Sequence, residues 1–260
     1  MTDQKPSAEG QEAWLKTSLG QYILSRQRDL ILDLVAPGAG ERVLNISCRA
    51  DSHRQIFRGQ GCLVTAVNCC TPVSMHSGGD SDAEVRFDSG GAADLPYSDD
   101  EFDAVAVINV LETSADPQKV IAEAIRVCRG RVFIGFLNKR SLAGSRQRLQ
   151  EIFGFPVSGK IQFFSMEEIK RMVGSLIEAP VFKWGSVIYF PAIVYDFFTE
   201  LEELVPLAKN PLGAFAGLAF PVKYVYRTLQ SPVLESYPLK RDARVTAPEA
   251  VSGMLKGIDK

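Results

Sequence analysis

No apolar run in this 260-residue chain approaches the roughly 20 residues that span a bilayer, and none follows Met1, so neither a membrane helix nor a signal peptide is read from it. A basic excess is also missing. Lys and Arg number 29 against 31 Asp and Glu, for a formal net charge of −2, and the pI is about 5.8. A general nucleic-acid surface needs a basic face to neutralise phosphates, so that class is excluded. Histidine is scarce: there are His53, early in a helical segment, and His76, in a polar loop. Both read as exposed residues rather than general bases. The five cysteines, Cys48, Cys62, Cys69, Cys70 and Cys128, form no Cys-x-x-Cys and have no adjacent histidine. They read as reduced thiols of a cytoplasmic protein, not as a disulfide or metal scaffold.

The most informative absence is local. An apolar strand, Arg42 to Ile46, runs into the turn Ser47-Cys48-Arg49-Ala50-Asp51 and then into a helix read from near Ser52. Strand–turn–helix is the cofactor-binding arrangement of α/β folds. Glycines in such a turn reach backbone angles that side chains resist and let a ligand approach the main chain. This turn has no glycine.

What is present is ordinary for a globular chain: 46% apolar and 23% charged residues, enough for one sizeable α/β domain with appendages. Residues 1–10 are polar and expected to be disordered. Helical spacing of Trp14, Leu15, Leu19, Tyr22, Ile23, Leu30, Ile31, Leu34 and Val35 predicts a helix over 11–36, stopped by Pro37-Gly38-Ala39-Gly40. Strands are predicted at 41–47, 62–68, 84–88, 102–109, 131–137, 181–190 and 214–222. Helices are predicted from Asp51 or Ser52 (with a Ser52/Gln55 capping box), at 117–128, 140–153, 166–174 (with a Ser165/Glu168 capping box) and around 192–205. Phe102 to Asn109 is continuously apolar, as in a strand buried on both faces. Alternating elements predict a doubly wound, mostly parallel, seven-stranded sheet over 11–226, followed by a flexible tail at 227–260. Ligands of such sheets bind beyond the carboxyl ends of the strands.

Other clusters have plainer readings. Asp94, Asp99, Asp100 and Glu101 fit a solvated turn ahead of a buried strand better than a metal site. Arg54, Arg58 and the basic run from Lys139 to Arg148 fit solvated helix faces, and Trp184, Tyr189, Phe190, Tyr195, Phe197 and Phe198 fit core packing.

The order of landmarks over residues 12–222 resembles the class I S-adenosylmethionine (SAM) dependent methyltransferases, above all the small-molecule group related to ubiquinone and menaquinone biosynthesis. The resemblance is carried by Trp14, Thr17 and Leu19-Gly20-Gln21-Tyr22; by Leu95-Pro96-Tyr97 with Phe102-Asp103-Ala104-Val105; and by Asn109-Val110-Leu111-Glu112. Leu137-Asn138 with Ser141-Leu142, Phe163-Phe164-Ser165 and Pro211-Leu212-Gly213-Ala214-Phe215 continue it. It implies a Rossmann-like fold, SAM as cofactor and a small-molecule methyl acceptor.

It also locates the cofactor positions. Asn45 stands where the family has an acidic residue, and Ser47, Arg49 and Asp51 stand at its three glycines. Asn68 stands where an acidic residue holds the ribose hydroxyls. Gly91, with Ala92 beside it, stands where an aspartate faces the adenine amine, and Asn109 ends the central strand. Thr113 replaces a frequent histidine, and Arg129-Gly130 is what remains of a Pro-Gly-Gly turn. An Asp51 carboxylate at the helix start would meet the SAM carboxylate with like charge. Charge-assisted hydrogen bonds contribute about 1.5–3 kcal/mol against about 1 for neutral ones. Losing several implies about 3–5 kcal/mol, a hundred- to several-thousand-fold in affinity. Two functions follow from the resemblance. One is a divergent SAM-dependent methyltransferase-family protein whose altered pocket binds SAM weakly or not at all. The other is a non-catalytic methyltransferase-fold partner of another enzyme.

Overall fold

The computed structural model describes residues 17–47, 50–68, 91–141, 161–189 and 210–222, with the backbone alone at 50–52 and 68. The chain divides into two compact units, Met1–Tyr224 and Val225–Lys260, and every described residue lies in the first. The expectations for residues 1–10, the strand at 84–88, the helix at 192–205, the tail at 227–260 and His76 fall outside the described residues, as does the helix expected at 140–153 beyond its first two residues, which are not helical.

Helix α1 (Ser18–Val35) opens on Thr17, whose side chain accepts the Gly20 N–H, and closes on left-handed Ala36 immediately before Pro37. Arg131 reinforces that end from strand β4 (Cys128–Leu137), donating from Nε to Val35 O at 2.6 Å and from Nη2 to Ala36 O at 3.2 Å. Strand β1 (Arg42–Ser47), helix α2 (Ala50–Arg58), strand β2 (Leu63–Asn68) and strand β3 (Phe102–Ile108) follow. After β3 come helix α3 (Pro117–Arg126), β4, helix α4 (Met166–Gly174), strand β5 (Lys183–Val187) and strand β6 (Phe215–Pro221).

The six described strands form one sheet in the order β2-β1-β3-β4-β6-β5. The pairs among β1 to β4 are parallel, and β6 lies antiparallel between β4 and β5. A mostly parallel α/β sheet is therefore what forms, with six strands among the described residues. Alternation sorts the strand residues onto two faces. Leu44, Ile46, Val105, Val107, Val132 and Ile134 pack with Val120, Ile121 and Ala124 of α3 and Ile169 of α4. Val43, Ala104, Ala106, Ile108 and Phe133 pack with Ile23, Leu30 and Ile31 of α1 and Ile56 and Phe57 of α2. Every β3 residue except Asp103 is buried, as its continuous apolar run requires.

Several boundaries differ from the sequence reading, and the strand expected at 181–190 covers only Lys183–Val187. α2 begins at Ala50, so Asp51 and Ser52 lie inside its first turn and a Ser52/Gln55 capping box does not open it. Alanine is a strong helix former and a first-turn aspartate suits the dipole, which extends the helix backwards. α3 ends at Arg126 and β4 starts at Cys128 rather than Arg131. The early start is possible because Gly130 lies so close to β3 that a Cβ there would sit 2.2 Å from Asp103 O, where the β3–β4 register shifts. Among the described residues, no helix is long and apolar enough to cross a membrane.

Candidate functional site at the carboxyl edge of the sheet

Parallel pairing brings the candidate positions level. Ser47 of β1 is paired with Asn68 of β2 on one side and Ile108 of β3 on the other, and Asn109 follows directly. Asn109 has φ 54, an angle that asparagine tolerates better than most side chains, and its N–H is held by Gly135 O at 2.9 Å. Asn45 lies two residues back on β1, so it shares the α1/α2 side of the sheet with Ser47. Both are fully buried, and Asn45 Nδ2 lies 3.5 Å from Ser47 Oγ.

Gly91 is exposed in a turn closed by the Asp94 N–H on Gly91 O at 2.9 Å, and a Cβ on it would meet nothing within 4 Å. Ala92 faces the other way, buried in the α3/α4-side core. Asp51 occupies the first turn of α2, while Arg49 lies outside the described residues. The structure thus gathers Asn45, Ser47, the Asn68 backbone and Asn109 along one edge.

Two of the four acidic residues in 94–101 are spent on structure. Asp99 pairs with Arg126 at 2.7 Å, and Glu101 pairs with Arg42 at 3.1 Å and accepts the Ser98 N–H at 3.0 Å. Cys62 and Cys128 are buried free thiols, and burial pushes the Cys128 thiol up to about 11.

His53 corrects the sequence reading: it is 1% exposed, not a solvent-facing residue. It precedes Ile56 and Phe57 by three and four residues, which places all three on the buried stripe of α2. Arg26 and Gln27 were also missed. They fill the gap between Ile23 and Leu30 on the buried face of α1, and the helical spacing of the apolar residues around them was the signal. The burial of Glu112 was missed as well. It is fully buried just past β3, and burial raises its carboxyl to about 7 against the lowering effect of the Leu137 N–H and its own. The described edge is therefore built of neutral amides and a hydroxyl, with one carboxyl kept largely dry.

A family model described as a methyltransferase domain matches residues 44–134, from β1 into β4. Over those residues the chain is similar to a methyltransferase domain. Demethylmenaquinone methyltransferase of Renibacterium salmoninarum is 30% identical over 112 residues, 43% of this chain and 46% of that one. The chain spans less than half the length of the first curated relatives it matches. Among solved structures, a SAM-dependent methyltransferase of Thermotoga maritima is similar with TM-score 0.54 and 16% identity, covering 84% of this chain and 96% of that one. A protein solved in complex with the Haloferax volcanii Trm112 methyltransferase activator is similar with TM-score 0.56 and 15% identity, covering 85% and 99%. At these identities the structural likeness concerns the fold.

Proposed function

We propose that this methyltransferase-family domain has exchanged the family's SAM contacts for neutral side chains and binds SAM only weakly, in the millimolar range, or not at all. The observation that carries the reading is the Asn45–Ser47 pair. At the positions of the family's first acidic residue and first glycine, an amide and a hydroxyl are buried against each other. Asn68 and Gly91 extend the same exchange to the ribose and adenine positions. An amide accepts one ribose hydroxyl as a neutral partner, whereas a carboxylate accepts two as an ion. Gly91 offers the adenine amine no side chain. The donor and acceptor set does not fit SAM as the family holds it.

Methyl transfer to a small molecule remains the family activity. It rests mostly on positioning an acceptor against the methyl group, a task that needs few chemical side chains. The same exchange favours a second reading, a fold retained to bind another enzyme. Titration calorimetry with SAM and S-adenosylhomocysteine tests the main reading. Absence of saturation below about 1 mM supports it, and saturable micromolar binding overturns it. Co-purification of a stoichiometric enzyme partner from the native source supports the second reading.

A further inference from the structure

We propose that Glu112 makes the carboxyl edge of β3 and β4 responsive to protonation, with the neutral side chain closing that edge and the ionised one loosening it. Glu112 is completely buried, and its Oε1 accepts the Leu137 N–H at 2.6 Å while Oε2, also buried, has no hydrogen-bond partner among the described residues. Ionisation leaves Oε2 as a buried charged oxygen without a hydrogen bond from the described residues, whereas protonation leaves a neutral hydroxyl. The first is far more costly.

The side chain sits where several segments are tied together. Gln162 donates its N–H to Glu112 O at 2.9 Å, and Phe164 donates to Leu137 O at 3.2 Å. The next residue along β4, Asn138, receives the 210–214 segment: its N–H reaches Ala214 O at 2.9 Å and its amide reaches Pro211 O at 2.6 Å and Gly213 O at 2.9 Å. Strain at Glu112 therefore acts on the ends of β3 and β4 and on the segments beside them.

Among the described residues, the charged groups beside this junction on 139–140, α4 and the start of α3 are engaged elsewhere. Lys139 pairs with Glu168 at 2.9 Å and Arg140 with Glu167 at 3.1 Å, both on the surface, and Asp116 caps α3 through the Lys119 N–H at 3.0 Å. The ionisation of Glu112 is governed by burial and by two backbone N–H groups, and it falls near neutrality. Asn109, three residues earlier on the same edge, is tied to β4 by its N–H on Gly135 O at 2.9 Å.

The test is a pH titration of the full chain from pH 5.5 to 8.5, following the Glu112 carboxyl by carbon-13 NMR and the Leu137 amide by nitrogen-15 NMR. Both are expected to titrate near pH 7 in the wild type, and the Leu137 transition is expected to vanish in Glu112→Gln. Hydrogen exchange over 109–114 and 161–164, corrected for intrinsic rates, should rise by roughly tenfold between pH 6 and 8 in the wild type, as opening linked to one proton requires, and not in the variant. A Glu112 carboxyl that titrates near its ordinary value overturns the proposal, and so does an equal exchange response in both proteins. The carboxyl titration of the wild type decides alone if the variant does not fold.

Discussion

Arg126 clasps Glu123 with two parallel hydrogen bonds, Nε to Oε1 at 3.0 Å and Nη2 to Oε2 at 2.8 Å. The same guanidinium reaches Leu95 O at 3.0 Å, Tyr97 O at 2.8 Å and Asp99 Oδ1 at 2.7 Å, so it moulds the 95–99 turn onto the end of α3. Glu123 in turn accepts the Leu95 N–H at 3.1 Å. The turn then delivers Tyr97 edge-on to Phe102, with ring centroids 5.1 Å apart, at the start of the central strand.

Replacing Arg126 with alanine leaves three acceptors and a carboxylate without their donor. Bonds to charged groups contribute more than neutral ones, and the partial exposure of this side chain reduces the total. The expected cost is about 2 kcal/mol in thermal or urea unfolding. Arg126→Lys should recover only part of it, because an ammonium cannot reproduce the planar fork.

Gly130→Ala places a methyl against the Asp103 carbonyl, which is main chain and cannot swing away. Overpacking of this kind costs about 1–3 kcal/mol. The variant should unfold at lower urea concentration with an unchanged m-value, while Gly91→Ala, which meets nothing within 4 Å, should be near neutral.

Stability should fall as pH rises through neutrality because of Glu112. Its folded-state value, about 7, lies above the ordinary glutamate value of 4.5, so the folded chain holds the proton more tightly. The resulting stabilisation is fully present below about 4.5 and is lost as pH rises through about 7. The full effect is about 3 kcal/mol. Glu112→Gln should flatten this dependence, and urea melts at pH 6 and 8 compare the two proteins.

The fold was legible wherever one local signal agreed with burial. α4 is the clearest case: Ser165 accepts the Glu168 N–H at 3.3 Å, Glu168 accepts the Ser165 N–H at 2.7 Å, and the helix runs over the residues that the pattern indicates. Ser165→Ala should cost about 1 kcal/mol, measured by thermal unfolding. The early start of β4 was not legible, because it depends on one close approach between Gly130 and Asp103 that no pattern within either segment reports.

Buried polar residues were the other blind spot. Arg26, Gln27 and His53 occupy apolar-stripe positions but have polar side chains, so a hydrophobicity pattern skips them. Glu112 sits in a motif that marks the family, yet its depth depends on β4 and on Gln162, both distant in sequence. At the candidate site, the resemblance located the positions and strand register placed Ser47, Asn68 and Asn109 side by side. Affinity for a cofactor depends on chemistry at each position, and a shared frame leaves that free to change.

The central claim is tested most directly by the SAM dissociation constant of the wild type beside the Asn68→Asp, Gly91→Asp double variant, measured by calorimetry. The wild type should show no saturation below about 1 mM, and the variant, with both carboxylates restored, should bind at least about tenfold more tightly. Saturable micromolar binding by the wild type, with no gain in the variant, would contradict the account.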